Sequence, residues 1–268
     1  VPARTRLSQA AVEERRQAVL RYVVEHGETR IDDLSDRFQV SLMTMHRDLD
    51  DLAKRSLLRK ERGRAVAFPA LTMETATRFR ENVGVSVKAA LCAAAAGRIK
   101  PGSTLLMDDS TTLFPLVPAL AGLDQVTVVT NSVGLAQRLG SVAGVEVTLL
   151  GGRYHGDFSS CTGPAVTRAL SHIRADLALM SATAVLSGRL YHPLSEYMEV
   201  KLSMLAAAEQ ALLLVDHSKF GKTATYGYGT VADYHAVITD SGTSDAEIAA
   251  IRGFGVSVEV VDPETPAP

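Results

Sequence analysis

The chain has 268 residues, 46% of them hydrophobic and 22% charged, with a formal net charge of −2. That much apolar material builds a packed core and excludes a largely disordered chain. No apolar run nears the roughly 20 residues that a bilayer-crossing helix needs, so a membrane-embedded role is excluded as well.

From Glu13 to Glu25 the apolar positions Val19, Leu20, Val23 and Val24 recur at helical spacing, and Gly27 is a natural terminator. Thr29-Arg30-Ile31-Asp32 has the spacing of a capping box, and Ile31, Leu34 and Phe38 continue it as a second helix. A third helix opens at Ser41, a good N-cap. On its wheel Leu42, Met45, Leu49 and Leu52 gather on one face. Met43, Thr44 and Arg47 point outward, early in the helix, where a recognition helix presents side chains to base edges. Residues 57–68 read as a two-stranded hairpin with a basic tip around Gly63. Alone, residues 42–52 could be an ordinary amphipathic surface helix; with their neighbours they predict a winged helix-turn-helix.

The charge divides accordingly. Residues 1–64 hold 14 Lys+Arg against 11 Asp+Glu, a surplus of +3, and residues 65–268 hold 14 against 19. The basic excess sits where a phosphate-contacting module needs it, and its modest size predicts weak binding by one copy.

Pro69 marks the exit from the wing and the expected hinge. Residues 72–82 are polar and helical in type, and an Ala-rich helix is expected from about Lys88 to Lys100. After Gly102 come short apolar runs at 104–107, 126–129, 145–150, 177–180 and 211–215, apolar on both faces as buried parallel strands are, with further strands at 236–239 and 256–261. Helical segments alternate with them, which predicts an α/β domain with a mostly parallel sheet. The expected division is a DNA-binding domain at 1–68, a linker helix region at 69–85 and an α/β effector-sensing domain at 86–268.

In such sheets ligands gather at the C-terminal strand ends. The turns there read Asp108-Asp109-Ser110-Thr111-Thr112, Thr130-Asn131-Ser132, Gly151-Gly152-Arg153 and Asp216-His217-Ser218-Lys219-Phe220-Gly221. Each alone is most simply a helix cap; four on one sheet edge, with a lysine, make a receptacle for a phosphosugar or similar anion. Cys92 and Cys161 have no metal or CxxC spacing and read as reduced core thiols. With no charged-then-apolar leader in the given sequence, a cytoplasmic location is expected, with no metal and no cofactor.

Ser41-Leu42-Met43-Thr44-Met45-His46-Arg47-Asp48-Leu49, within residues 12–64, resembles the recognition-helix signature of the DeoR/GlpR-type bacterial sugar-operon regulators, with His46 where Arg is commoner. The wing departs from that family's Arg-x-His-Gly-Gly: here it reads Lys60-Glu61-Arg62-Gly63-Arg64. Asn82 and Lys88 fall where the family's linker tends to carry Asn and Lys. Asp108-x-Ser110-Thr111-Thr112, Thr130-Asn131-Ser132, Leu150-Gly151-Gly152, Gly163-Pro164 and Asp216-x-Ser218-Lys219-Phe220-Gly221 are similar to hallmarks of its sensor domain.

The resemblance implies a fold related to sugar-phosphate isomerases and deaminases, an effector that is a phosphorylated sugar, and a DNA-binding homo-oligomer, at least a dimer. It also aligns Glu196 and Lys201 with a Glu and a Lys of the sensor. Where the family reads Gly-Ala-Asp-Gly, this chain has Ser181-Ala182-Thr183-Ala184, which removes an acid that proton transfer would use. His192 is expected at the same cleft as a replacement, although a lone loop His is more often a packing residue.

The candidate DNA contacts are therefore Ser41, Met43, Thr44, His46 and Arg47, with Arg47 as a bidentate base reader, and Arg62 and Arg64 in the wing. The candidate effector contacts are Asp108, Ser110, Thr111, Thr112, Asn131, Ser132, Gly152, His192, Glu196, Lys201 and Lys219. The function expected is a non-enzymatic repressor of a carbohydrate operon, bound to double-stranded operator DNA and modulated by the sugar. The alternatives are a sugar-phosphate isomerase or deaminase with an appended DNA module, and an activator answering to an unphosphorylated polyol.

Overall fold

A computed structural model describes residues 9–54, 58–66 and 77–263, which fall into two compact units divided between Phe79 and Arg80. The first unit holds α1 (Gln9–His26), β1 (Glu28–Arg30), α2 (Ile31–Arg37), α3 (Leu42–Lys54), β2 (Arg59–Glu61) and β3 (Arg64–Val66). Its core is Val19, Leu20 and Val23 of α1, Ile31 and Leu34 of α2, Met45, Leu49 and Leu52 of α3, and Leu58 and Ala65 of the hairpin. The strands form an antiparallel sheet in the order β1-β3-β2. Glu61 pairs with Arg64 across a two-residue turn, Arg62-Gly63, whose φ values of 41° and 80° both lie in the left-handed region. Such a turn matches the twist of the strands it joins.

Two local expectations fail. The capping box at 29–32 does not form, because Thr29 and Arg30 are drawn into β1, opposite Ala65 and Arg64, and α2 starts at Ile31 without a side-chain cap. Leu42 is 45% exposed rather than buried with Met45. It stands in the first turn, and helical side chains lean toward the N-terminus, so it projects past the end of the core. Asp48, which hydropathy would place outside, is buried instead.

Pro69, residues 72–76 of the expected linker helix at 72–82, and Leu57 and Phe68 at the hairpin ends lie outside the described residues. Thr77–Glu81 is helical, and the next helix is Val85–Ala96, three residues earlier than expected at its start.

The second unit is built on seven strands: β4 (Thr104–Met107), β5 (Val126–Thr130), β6 (Val145–Leu149), β9 (Ala175–Met180), β12 (Ala208–Leu214), β14 (Ala236–Asp240) and β15 (Ser257–Val261). They form one sheet in the order β15-β14-β12-β9-β4-β5-β6, and every neighbouring pair is parallel. All seven runs expected from the sequence are present. Helices Pro164–Leu170 and Ser195–Ala207 pack through Val166, Leu170, Val200 and Met204 on one face, with Leu106, Ala178, Met180 and Leu213. Val85–Ala96 and Val133–Leu139 pack through Leu91, Cys92, Leu135 and Leu139 on the other, with Leu105, Met107, Val128 and Leu179. Alternate residues of one strand thus feed opposite cores, which is why the runs are apolar throughout. The exceptions are the edge strands β6 and β15, where residues such as Leu149 at 43% and Val260 at 41% face solvent.

Two smaller ladders had no clear signature: β7 (Arg153–His155) with β8 (Ser160–Thr162), and β10 (Ala184–Leu186), β11 (Arg189–His192) and β13 (Tyr226–Thr230) in the order β10-β11-β13. The chain leaves the centre of the sheet in one direction through β4, β5 and β6, then returns to the other side of β4 with β9. The switch point therefore lies between β4 and β9, where ligands of open α/β sheets bind beyond the strand ends.

Candidate functional site

On the first unit, the outer face of α3 starts from its cap. Thr44 N–H donates to Ser41 Oγ at 3.2 Å, and the two hydroxyls are 2.8 Å apart. Ser41 and Thr44 are thereby tied to each other, Met43 is 66% exposed, Arg47 is exposed, and His46 is half-buried. In the wing Lys60 is paired with Asp50 at 2.6 Å, and Arg64 with Glu28. Arg62, held in left-handed backbone at the tip, and Arg47 carry no protein partner among the described residues. Two expected contacts are thus free cations, and a third, Arg64, already has a carboxylate.

Behind this face Asp48 anchors the helix. Its carboxylate, 3% exposed, accepts from Arg15 Nε at 2.8 Å and Arg16 Nε at 3.0 Å, and Asp51 takes Arg16 Nη1 at 3.0 Å. The seat of α3 on α1 is a buried, hydrogen-bonded charge cluster.

On the second unit, the turn after β4 meets the turn after β9 at the switch point. Asp108 accepts Ser110 N–H at 3.0 Å on Oδ1 and Ser181 N–H at 3.1 Å on Oδ2, and Oδ2 is also held by the Lys201 ammonium. Lys201 also donates to Ser181 O at 2.9 Å, and Ser181 Oγ to Thr112 Oγ1 at 3.3 Å. Asp108, Ser110, Thr112 and Lys201 are thus brought together, with Lys201 spent on an internal ion pair. Burial works against the Lys201 charge, and the carboxylates of Asp108 and Asp109 overcome it, holding its pKa above the ordinary lysine value. Burial, together with Asp108, pushes the Asp109 carboxyl up against the pull of Lys201. Ser160 Oγ donates to Asp109 Oδ2 at 3.3 Å and lies 3.1 Å from Tyr197 Oη.

The turn after β5 lies alongside. Ser132 caps its helix by accepting Leu135 N–H at 3.1 Å, and it bridges to Ser160. Asn131 is fully buried and donates Nδ2–H to Cys161 O at 3.0 Å, leaving Oδ1 buried with no partner. Such an acceptor costs stability unless something donates to it.

Thr111 receives a hydrogen bond from Lys88 Nζ at 3.1 Å. Burial, then the nearby Lys219 charge, brings Lys88 down to about 8. Lys219, from a distant part of the chain, thus stands close enough for its charge to be felt at Lys88. The turn bearing Lys219 is pinned by Asp240, which accepts His217 N–H at 2.7 Å and holds His217 Nδ1 at 2.6 Å.

Three other expected contacts are engaged within the protein. Glu196 is engaged by Thr162 Oγ1 at 3.1 Å, and Arg153 and His155 both lie 3.2 Å away, on the β7–β8 ladder. Gly152 is set by packing: a Cβ there would fall 2.4 Å from Thr162 O. His192 is buried, accepts Leu194 N–H on Nδ1 at 3.2 Å and stacks on Tyr197 with centroids 5.0 Å apart.

Burial, with Lys201, holds His192 down to about 3. An unfolded His titrates near 6.5. Its contribution is thus complete above about pH 6.5 and is lost as the pH falls toward 3, by about 1.4 kcal/mol per unit. His192→Gln is expected to flatten the decline of the urea midpoint between about pH 6 and 4 relative to wild type. Parallel declines would show that His192 does not drive it.

Asp109, Ser160, Tyr197 and Ser181 were missed as site residues. Asp109 stands inside a motif already singled out, whereas Ser160 and Tyr197 carry no local signal.

Residues 84–241 match the profile of the DeoR C-terminal sensor domain, and residues 15–69 that of the DeoR-like helix-turn-helix domain. The chain is 30% identical to the transcriptional repressor GlcR of Bacillus subtilis, over 93% of this chain and 96% of that one. It is 28% identical to the glycerol-3-phosphate regulon repressor of Escherichia coli, over 92% and 98%. It is 29% identical to the uncharacterised regulator YgbI of Escherichia coli, over 94% and 98%. Among solved structures, ribose-5-phosphate isomerase A of Neisseria gonorrhoeae aligns over 55% of each chain, with 13% identity and a TM-score of 0.36.

Proposed function

The chain belongs to the DeoR family of helix-turn-helix regulators with a C-terminal sensor domain, and from that premise we propose that it is the repressor of a carbohydrate operon, modulated by a phosphorylated sugar at the β4/β9 switch point. The relatives named as repressors support the direction of control. One observation carries the reading: each unit leaves a charge or a polar atom uncompensated where a ligand of the matching chemistry would meet it. Arg47 and Arg62 stand free on the face that a recognition helix and wing turn to DNA. In the sensor, Asn131 Oδ1 lacks a donor, and the Lys88 ammonium, bonded to Thr111, feels the like charge of Lys219. A hydroxylated, anionic molecule supplies a donor for the first and a counter-charge for the second.

The reading assigns Arg47 to base recognition, Arg62 to the phosphate backbone, and Thr111, Thr112, Asn131, Ser132, Lys88 and Lys219 to the effector. Asp108 and Lys201 shape the floor of the pocket rather than reaching for the ligand. The active assembly is at least a dimer, so that two heads share one operator. Ser181-Ala182-Thr183-Ala184 offers no acid, so no turnover is expected.

Arg47→Ala should weaken operator binding about 30-fold or more, for two heads each losing 1–3 kcal/mol, while the melting temperature stays put. A footprint at wild-type concentration would remove Arg47 from the interface. In a thermal-shift panel on the full chain, one sugar phosphate should stabilise the wild type and leave Lys219→Ala unmoved. Stabilisation by an unphosphorylated polyol alone would replace the phosphosugar, and turnover of any sugar phosphate would overturn the non-enzymatic reading.

A further inference from the structure

The helix Thr77–Glu81 is where the chain enters the second unit, and its last two residues are each held by a cation from another helix, Lys88 of Val85–Ala96 and Arg138 of Val133–Leu139. Lys88 donates to Arg80 O as well as to Thr111 Oγ1, so one buried ammonium joins the end of the helix to the turn after β4. Glu81 is bound by Arg138, which also donates to Gly134 O at 2.9 Å and lies 4.1 Å over the Phe114 ring. Arg138 stands on the helix that Ser132 caps, and Phe114 on the segment that continues from Thr111. Two of the turns assigned to the effector thus connect to Arg80-Glu81, the turn after β4 through Lys88 and the turn after β5 through the helix that bears Arg138.

We propose that Lys88 and Arg138 form a two-point clamp that fixes the helix end at Arg80-Glu81, and that an anion in the effector pocket tightens it through Lys88. The tightening rests on the sugar-phosphate reading; the clamp does not. Its electrostatic logic is simple. The charge on Lys88 is opposed first by burial, then by Lys219 and Arg80, whose repulsion Asp216 and Glu81 only partly relieve. An anion beside Lys88 and Lys219 removes that opposition and strengthens the charge-assisted bond to the Arg80 carbonyl. Arg80 lies close enough to the site for its own charge to act on Asp109, His192 and Tyr197. The effector is thereby registered at the point where the chain comes in from the DNA-binding unit, as a coupling between the two functions requires.

Hydrogen exchange on the full-length protein tests this. Without any ligand, Lys88→Met and Glu81→Gln should each speed exchange of amides 79–83 about tenfold, with strands β4 and β12 unchanged. Wild-type exchange at 79–83 in both variants would overturn the clamp. Glu81, 38% exposed in its side chain, can be changed without disturbing the core, so it and Arg138→Gln decide the matter if Lys88→Met fails to fold. With glycerol 3-phosphate and inorganic phosphate as probes, a ligand that raises the melting temperature should slow exchange at 79–83 at least threefold in wild type and not in Lys88→Met. Equal slowing in both would overturn the role of Lys88. A probe panel that never shifts the melting temperature would count against the sugar-phosphate reading and the tightening, while the ligand-free exchange would still judge the clamp.

Discussion

Lys201→Met is expected to destabilise the second unit by about 3–5 kcal/mol, the usual result of removing one partner from a buried ion pair. Lys201 is 3% exposed and Asp108 1% exposed, so neither water nor another cation can replace the lost ammonium. Asp108 would be left charged beside Asp109, and Ser181 O would lose its donor. In a unit of this size the loss corresponds to roughly 10 °C in the melting temperature.

The double variant Asp108→Asn/Lys201→Met should recover part of the loss and not all of it. The carboxylate accepts from two amides, Ser110 N–H and Ser181 N–H, on different oxygens. An asparagine has one oxygen to offer, so one of those amides remains unsatisfied. Full recovery would mean that the pair is a simple charge couple and not the knot that ties the β4 turn to the β9 turn. An unchanged melting temperature in the single variant would remove the knot altogether.

This knot marks where sequence reading reached its limit. The strands of the sheet were legible because burial on both faces leaves only apolar residues, and the turns were legible because hydroxyls and glycines open the helices after them. Which turn meets which was not, because that depends on strand order. Asp108 and Ser181 are 73 positions apart and touch because β9 returns beside β4. Lys201 was singled out as a ligand contact by resemblance, but no pattern announced that its charge is turned inward. Glu196 shows the same limit: one helix carries Glu196, Tyr197 and Lys201, yet Glu196 faces the β7–β8 ladder while Lys201 faces Asp108. The two smaller ladders went unread because all their strands but β13 are only three or four residues long, too short to display a period.

In the DNA-binding unit the failures are of another kind. Leu42 and the 29–32 capping box were misread because a local rule was applied where tertiary pairing decides. Asp48 was passed over because a carboxylate on an amphipathic helix is ordinarily solvated. Its position is nonetheless consistent with the wheel: Asp48 follows Met45 by three residues and precedes Leu52 by four, on the buried side of α3. What hydropathy lacks is the counter-charge, which comes from Arg15 and Arg16, more than 30 positions upstream.

Asp48→Ala should therefore abolish operator binding by a route distinct from that of Arg47→Ala. Removing the carboxylate strands two guanidinium groups, 13% and 19% exposed, against the apolar seam between α1 and α3. Those groups keep some access to water, and Asp51 still serves Arg16, so the cost should fall short of a fully buried pair, at about 2–4 kcal/mol. Small helical heads have little stability to spare. The head should loosen while the sensor unit keeps its own transition, because two units need not unfold together. Limited proteolysis should then cut within residues 9–66 and spare 85–261, whereas Arg47→Ala, which removes an exposed side chain, should resist as wild type does. If Asp48→Ala resists proteolysis and still fails to bind, Asp48 acts on DNA through the placement of α3 alone. If it resists and binds, the Arg15–Asp48–Arg16 cluster contributes nothing that the apolar core does not already supply.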